Sequence, residues 1–136
     1  MLLINPWTRT SGELTVVDED CPGAKLELIY GPTNQLADYS CNNLSIELSR
    51  ILRQHNGMGA VIQRVIVPRE GRNQGRGSAM LKAALTWLKE NEVELAYTIA
   101  VPPSPEDQDR LEEWYYNHGF REECSSLPIL SLTLMG

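Results

Sequence analysis

The stretch from Ala60 to Val101 constrains this chain more than any other. Ala60 to Val67 reads A-V-I-Q-R-V-I-V, with β-branched residues at five of eight positions, the composition of a buried strand. Pro68 lacks a backbone N–H and ends regular pairing. A joint rich in glycine and arginine follows, E-G-R-N-Q-G-R-G-S. Ser78 to Asn91 then sets Leu81, Ala84, Leu85 and Leu88 on one stripe, flanked by Met80 and Trp87, the pattern of an amphipathic helix. Val93 to Val101, V-E-L-A-Y-T-I-A-V, is a second strand, broken by Pro102-Pro103-Ser104-Pro105. Strand, turn, helix, strand is a crossover unit, which commits the chain to a sheet with helices on its faces.

Elements on either side extend this unit. Glu13 to Val17 and Lys25 to Tyr30 read as two antiparallel strands around the turn formers of D-E-D-C-P-G-A, and Gly31-Pro32-Thr33-Asn34 closes the second. Leu44 to Gln54 places Leu44, Leu48, Ile51 and Leu52 at helical spacing, capped by Asn42 or Asn43 and stopped by His55-Asn56-Gly57. A further helix starts near Pro105, passes Leu111 and Trp114, and ends about Asn117 before His118-Gly119. The tail, F-R-E-E-C and then P-I-L-S-L-T-L-M, forms a last pair of strands. The expected order is β-β-α-β-α-β-α-β-β, in a single domain spanning residues 1–136.

Length and composition exclude several classes. A chain of 136 residues suits one core. No window reaches the ~20 apolar residues of a membrane span. The start, M-L-L-I-N-P, lacks a basic n-region and its apolar run is cut by Asn5-Pro6, so it is no secretory signal and a cytoplasmic protein is expected. Cys21, Cys41 and Cys124 are odd in number without a zinc spacing, so reduced thiols and no metal are expected. His55 and His118 are isolated and read as surface or capping residues. A net charge of −6 argues against direct nucleic-acid binding and favours cationic or neutral partners.

The glycine-rich joint is a cradle for phosphate. Gly75 and Gly77 at the head of a helix leave backbone N–H groups unpaired where the dipole favours an anion, and Arg72 and Arg76, with Arg69 beside them, add charge-assisted donors. A Walker A loop is excluded, because Gly77 is followed by Ser78 without a lysine and Gly71 stands six positions before it. A dinucleotide fingerprint starting at Gly75 fails at Met80. The pattern Arg/Gln-x-x-Gly-x-Gly/Ala is met in full by R-N-Q-G-R-G, Arg72 to Gly77.

On these residues the sequence resembles the GNAT superfamily of acyl-CoA-dependent N-acetyltransferases, whose signature turn binds the pyrophosphate of coenzyme A. A second segment strengthens the likeness. L-E-E-W-Y-Y-N-H-G-F, Leu111 to Phe120, resembles the family's aromatic-Tyr-x-x-x-Gly-Phe motif, with Tyr115 four residues before Gly119. Both motifs stand in the family's order and at its usual separation, and small members include phage-encoded acetyltransferases. The resemblance implies an α/β (α+β) fold with a mixed, mostly antiparallel sheet flanked by helices. It implies acetyl transfer from acetyl-CoA, without metal, to a primary amine on a protein lysine or a small cationic molecule. An inactive acyl-CoA-binding interaction module is the alternative, and the oligomeric state, a homodimer included, stays open.

The resemblance also assigns roles. Val65, Ile66 and Val67 would offer main-chain hydrogen bonds to pantetheine, the N–H groups of Gln74, Gly75, Arg76, Gly77 and Ser78 would hold the pyrophosphate with Arg72, and the two central strands should diverge to make the slot. Tyr115 takes the position of the general acid that protonates the departing thiolate. A phenol with pKa ~10 is well matched to a thiolate of pKa ~8 to 9; Tyr116 is the lesser candidate. The base stays unassigned among Glu47, Gln63 and Glu94. Two departures stand out: Pro68 lies four residues before Arg72 where the family often has proline at three, and Gln108 replaces a frequent asparagine. The helix pair that follows the family's first strand, and that shapes the acceptor site, is expected to be absent here.

Overall fold

The computed structural model describes residues 2–6, 12–39, 46–68, 75–99, 108–123 and 129–134. Along these residues run β1 (Leu2–Pro6), β2 (Gly12–Asp18), β3 (Lys25–Pro32), α1 (Thr33–Tyr39), α2 (Ile46–Gln54), β4 (Met58–Ile66), α3 (Arg76–Glu90), β5 (Leu95–Ile99), α4 (Gln108–Asn117), β6 (Arg121–Glu122) and β7 (Ile129–Thr133). The strands form one mixed sheet in the order β1-β2-β3-β4-β5-β7-β6. Only β4 and β5, joined through α3, pair in parallel; every other neighbouring pair is antiparallel. This is the mixed, mostly antiparallel sheet expected from the sequence.

Two apolar layers cover the sheet. On one face Met80, Leu81, Ala84 and Leu88 of α3 pack on Leu14, Val16, Leu26, Leu28, Ala60 and Ile62, with Tyr115 and Phe120 beside them. The four α3 residues have no exposed surface, worth roughly 1.5–3 kcal/mol for each of the three large side chains. The stripe is turned slightly from the expected one: Met80 lies in it, and Leu85 is half-buried. On the other face Leu36, Ala37, Leu48 and Leu52 of α1 and α2 pack on Ile29, Val61, Tyr97 and Ile129.

The structure corrects three expectations. β1 was not foreseen; it pairs along one edge with β2, from Leu2 against Asp18 to Pro6 against Leu14, so its support comes from its neighbour and not from a period-2 pattern of its own. α1 was read as the turn closing β3. Its seven residues carry little intrinsic helix signal, but tertiary contacts hold them: Leu36 and Ala37 are buried, and the Ser49 hydroxyl on α2 donates to the Ala37 carbonyl at 2.9 Å. A helix pair, expected to be missing, is therefore present, placed between β3 and β4 and not after the first strand. The cap residues Asn42 and Asn43 lie outside the described residues.

Candidate active site

Among the described residues, β4 pairs with β5 over only part of its length. The parallel ladder runs only from Gly59 against Leu95 to Ile62 against Thr98, while β4 continues to Ile66 and stays paired with β3 on its other edge. The end of that ladder coincides with a β-bulge. Leu28 faces Ile62 and Glu27 faces Arg64, so Gln63 is the extra residue, and bulges of this kind bend a strand and raise its twist. The bulge also resets the alternation of side chains. Ala60 and Ile62 lie in the α3-side layer, and beyond the bulge Val65 and Val67 pack against that same layer. The register shift lies where the two central strands were expected to diverge. Val65 and Ile66 pair with Leu26 and Lys25 on the β3 side, and no described strand covers their other edge.

The first turn of α3 lies at this opening. Gly75 is its N-cap, in the left-handed region at φ 72° and with no side-chain cap, a conformation that L residues other than glycine adopt at a cost. The helix's first bond runs from the Ala79 N–H to the Gly75 carbonyl at 2.9 Å, so the N–H groups of Gly77 and Ser78 have no acceptor within the helix itself. No acidic residue stands in that turn. A Cβ on Gly77 would lie 3.5 Å from both Val67 and Trp114 and 3.9 Å from Val65, which locates the turn between the end of β4 and α4. Backbone donors aimed out of a helix N-terminus beside an open strand edge make an anion site flanked by a hydrogen-bonding strand.

The arginines divide. Arg69 and Arg72, like Gln74, lie outside the described residues. Arg76 turns its guanidinium to Asp18 at the end of β2, with 2.9 Å between Nη1 and Oδ2. Hydrogen bonding from Arg76, and secondarily from the Asp20 N–H, holds the Asp18 carboxyl below its ordinary value against the opposing effect of burial. Arg76 is therefore engaged with an acid at the cradle, a partnership that sequence spacing did not reveal.

Tyr115 is set by the way α4 ends. Gly119 has φ 97°, its N–H bonds the Tyr116 carbonyl at 3.0 Å, and the Phe120 N–H bonds the Tyr115 carbonyl at 3.1 Å. These are the two bonds of a Schellman stop. The Phe120 ring then packs edge-on against Tyr115 at 5.2 Å. The Tyr-x-x-x-Gly-Phe spacing is thus a helix terminator that fixes the tyrosine's ring. Tyr115 is 5% exposed, and its phenol oxygen lies 3.4 Å from Thr98 Oγ1, which is also 3.4 Å from the Ile62 carbonyl oxygen. Ile62 and Thr98 are the last pair of the β4–β5 ladder among the described residues, so the phenol sits at the described end of that pairing. Burial raises its pKa, and the Thr98 hydrogen bond opposes that rise.

A further group ties α4 to the cradle. Ser78 Oγ accepts from the Trp114 indole N–H at 3.2 Å and lies 3.0 Å from His118 Nε2, while Trp114 stacks edge-on with both Tyr115 and His118. Burial, helped by repulsion from Lys82, lowers the His118 pKa, so this imidazole is neutral at pH 7. His118, read from the sequence as a surface or capping residue, and Trp114 both meet Ser78 Oγ in the structure, as one clamp. Among the proposed bases, Gln63 is at the bulge and exposed, Glu47 pairs with Arg50 at 3.0 Å, and Glu94 pairs with His55 at 3.0 Å. Glu94 precedes β5, about 13 Å along the chain from Thr98. No cluster of metal-ligating side chains occurs among the described residues, and none of their helices is long and apolar enough to cross a membrane.

No protein-family model matches the sequence, and no curated protein does so significantly. Solved structures do match the fold. A GNAT family N-acetyltransferase, YhbS from Escherichia coli, in complex with CoA, aligns with a TM-score of 0.53 at 13% identity over 90% of this chain and 58% of its own. The fold is that of the GNAT acetyltransferases. A tyrosine-to-phenylalanine variant of the AtaT toxin, bound to the C-terminus of the antitoxin AtaR and acetyl-CoA, aligns at 0.57 with 10% identity over 91% of this chain and 67% of that one. AtaT complexed with acetyl-methionyl-tRNAfMet aligns at 0.58 with 11% identity over 91% and 71%. This GNAT-fold chain therefore spans roughly 58 to 71% of the length of the proteins it superposes on.

Proposed function

We propose that the protein is an N-acetyltransferase that moves an acetyl group from acetyl-CoA to a primary amine within a ternary complex. The observation that carries this reading is the buried Tyr115 phenol beside Thr98, at the described end of the β4–β5 ladder, with the glycine-capped N-terminus of α3 next to the end of β4. The diphosphate is held by the N–H groups of Gly77 and Ser78 with the neighbouring backbone of the signature turn and Arg72. Pantetheine lies along the edge of β4 at Val65 and Ile66 and on toward Val67, and the thioester enters beside β5. The amine nitrogen attacks the carbonyl carbon, the carbon–sulfur bond breaks with its electron pair going to sulfur, and Tyr115 gives its proton to the thiolate. The acceptor nitrogen loses one proton to solvent, which balances the one delivered to sulfur. CoA and acetyl-CoA in the superposing structures support the donor, and the net charge of −6 supports a cationic acceptor.

Calorimetric titration with acetyl-CoA, paired with a thiol-release assay on a lysine-rich peptide, tests the reading. Tyr115→Phe is expected to slow transfer by roughly 10²–10⁴-fold while acetyl-CoA affinity is kept. A wild-type protein that binds neither acetyl-CoA nor CoA sinks the proposal; binding without transfer to any amine supports the silent acyl-CoA-binding module.

A further inference from the structure

We infer that Thr98 is a positioning residue for Tyr115, its single hydroxyl donating a hydrogen bond to either the Ile62 carbonyl or the phenol oxygen and turning it onto the phenol oxygen as Tyr115 loses its own proton. The inference rests on the reading of Tyr115 as the proton donor to sulfur. Thr98 is 1% exposed and stands at equal distances, 3.4 Å, from two oxygens. The Ile62 carbonyl only accepts; the phenol both donates and accepts. One arrangement has Tyr115 donating to Thr98 and Thr98 donating to Ile62. The other has Thr98 donating to Tyr115, which frees the phenol proton for another acceptor. Rotation of the two O–H bonds, that of Thr98 and that of Tyr115, interconverts them without movement of a heavy atom.

The second arrangement serves the chemistry. When the carbon–sulfur bond breaks and the phenol proton passes to sulfur, Tyr115 is left as a phenolate in a buried place, where charge is costly. Its ring contacts supply no replacement donor: Phe120 has none, and the Trp114 indole N–H is committed to Ser78. Thr98 is the one hydroxyl within hydrogen-bond distance of the phenol oxygen among the described residues. The hydrogen bond it turns onto the phenolate stabilises the charged form until a proton from solvent restores the phenol. At the same position the Ile62 carbonyl is the last of the β4 ladder before the bulge, so the group that releases the Thr98 proton belongs to the split itself.

The test is independent of the unknown acceptor. Protein carrying 3-fluorotyrosine is titrated by 19F NMR, the Tyr115 signal being assigned as the one lost in Tyr115→Phe. Thr98→Val keeps the shape and removes the hydroxyl, and is expected to raise the Tyr115 titration midpoint by about one pH unit or more. Thr98→Ser is expected to leave it near the wild-type value, and acetyl-CoA should stabilise all three proteins equally. A Thr98→Val midpoint equal to wild type overturns the inference, and so does a Thr98→Ser midpoint displaced as far as that of Thr98→Val. Failure of the parent reading looks different: the midpoint moves as expected, yet Tyr115→Phe transfers acetyl at the wild-type rate, which removes the purpose assigned to Thr98.

Discussion

Arg76 opens α3 with its guanidinium 2.9 Å from the Asp18 carboxylate, so the cradle's first turn is tied to the end of β2, three strands from β5 in the sheet. Asp18 is 8% exposed and also accepts from the Asp20 N–H at 3.0 Å. Asp18→Asn is expected to lower the unfolding midpoint at pH 7 and to weaken acetyl-CoA binding by loosening the turn. The pH dependence has a definite sign. The pair holds the Asp18 carboxyl below its ordinary 3.8, so its contribution is complete above that value and is lost as pH falls through the folded one. Unfolding curves of wild type and Asp18→Asn should converge in acid; a constant gap from pH 7 to 2 refutes this account.

Gly77 separates what the fold needs from what a ligand needs. Its added Cβ would meet Val67 and Trp114 at 3.5 Å, an ordinary contact, and alanine is favoured over glycine in a helix by up to about 1 kcal/mol. Gly77→Ala is therefore expected to leave the free protein as stable as wild type or slightly more so. If the proposed diphosphate site is right, the same methyl group obstructs the approach of the ligand to the backbone, so the thermal stabilisation by acetyl-CoA should shrink severalfold. Full stabilisation in the variant would remove the turn from the binding site.

Gly119 gives the opposite result. At φ 97° with Leu132 Cδ1 3.1 Å from an added Cβ, Gly119→Ala meets both backbone strain and crowding, and a loss of about 1–2 kcal/mol is expected. Because this stop also sets the Tyr115 ring through Phe120, transfer should fall further than stability alone explains. Denaturant unfolding and turnover, measured at a temperature where the variant is fully folded, separate the two effects.

The crossover unit was legible because its strands carry β-branched runs and its helix a clear stripe; those signals are local. The bulge was not. Val65 and Val67 read as a continuation of A-V-I-Q-R, and only the pairing of Glu27 with Arg64 and Leu28 with Ile62 shows that Gln63 is extra. β1 and α1 escaped for a related reason, each being short and held by a neighbour. In the candidate site, Tyr115 and the glycines were singled out through motifs, whereas Thr98, Asp18 and the His118 clamp were not. Their roles depend on which strand or helix ends lie side by side, and sequence separation hides that: 17 residues part Thr98 from Tyr115, 58 part Asp18 from Arg76, and 40 part Ser78 from His118.

The His118 clamp predicts an acid-side weakness. Its pKa is lowered from 6.5 by burial and by Lys82, so between 6.5 and the folded value the unfolded chain binds the proton more readily. The stability this imidazole contributes is complete above pH 6.5 and declines as pH falls below it. His118→Gln, which keeps a polar side chain beside Ser78, should flatten that part of the stability profile. Urea unfolding at half-unit steps from pH 7.5 to 5 measures the difference, and parallel profiles for the two proteins would show that His118 does not titrate differently on folding.

Gln63 tests whether the split depends on a residue count or on a side chain. Its side chain is exposed, so Gln63→Ala should change stability by no more than about 0.5 kcal/mol, and unchanged turnover would strike it from the list of bases. Deleting Gln63 is a different operation. Without the extra residue the strand's alternation runs through uninterrupted, because side chains alternate strictly with a period of two. Ile62 would still face Leu28 and Arg64 would still face Glu27, so Val65 and Val67 keep their place against the α3-side layer and only the local bend and extra twist are lost. The deletion is therefore expected to stay folded, with β4 straightened toward β5 and acetyl-CoA binding abolished. A deletion variant that is folded and keeps the ligand would mean that the bulge does not make the slot.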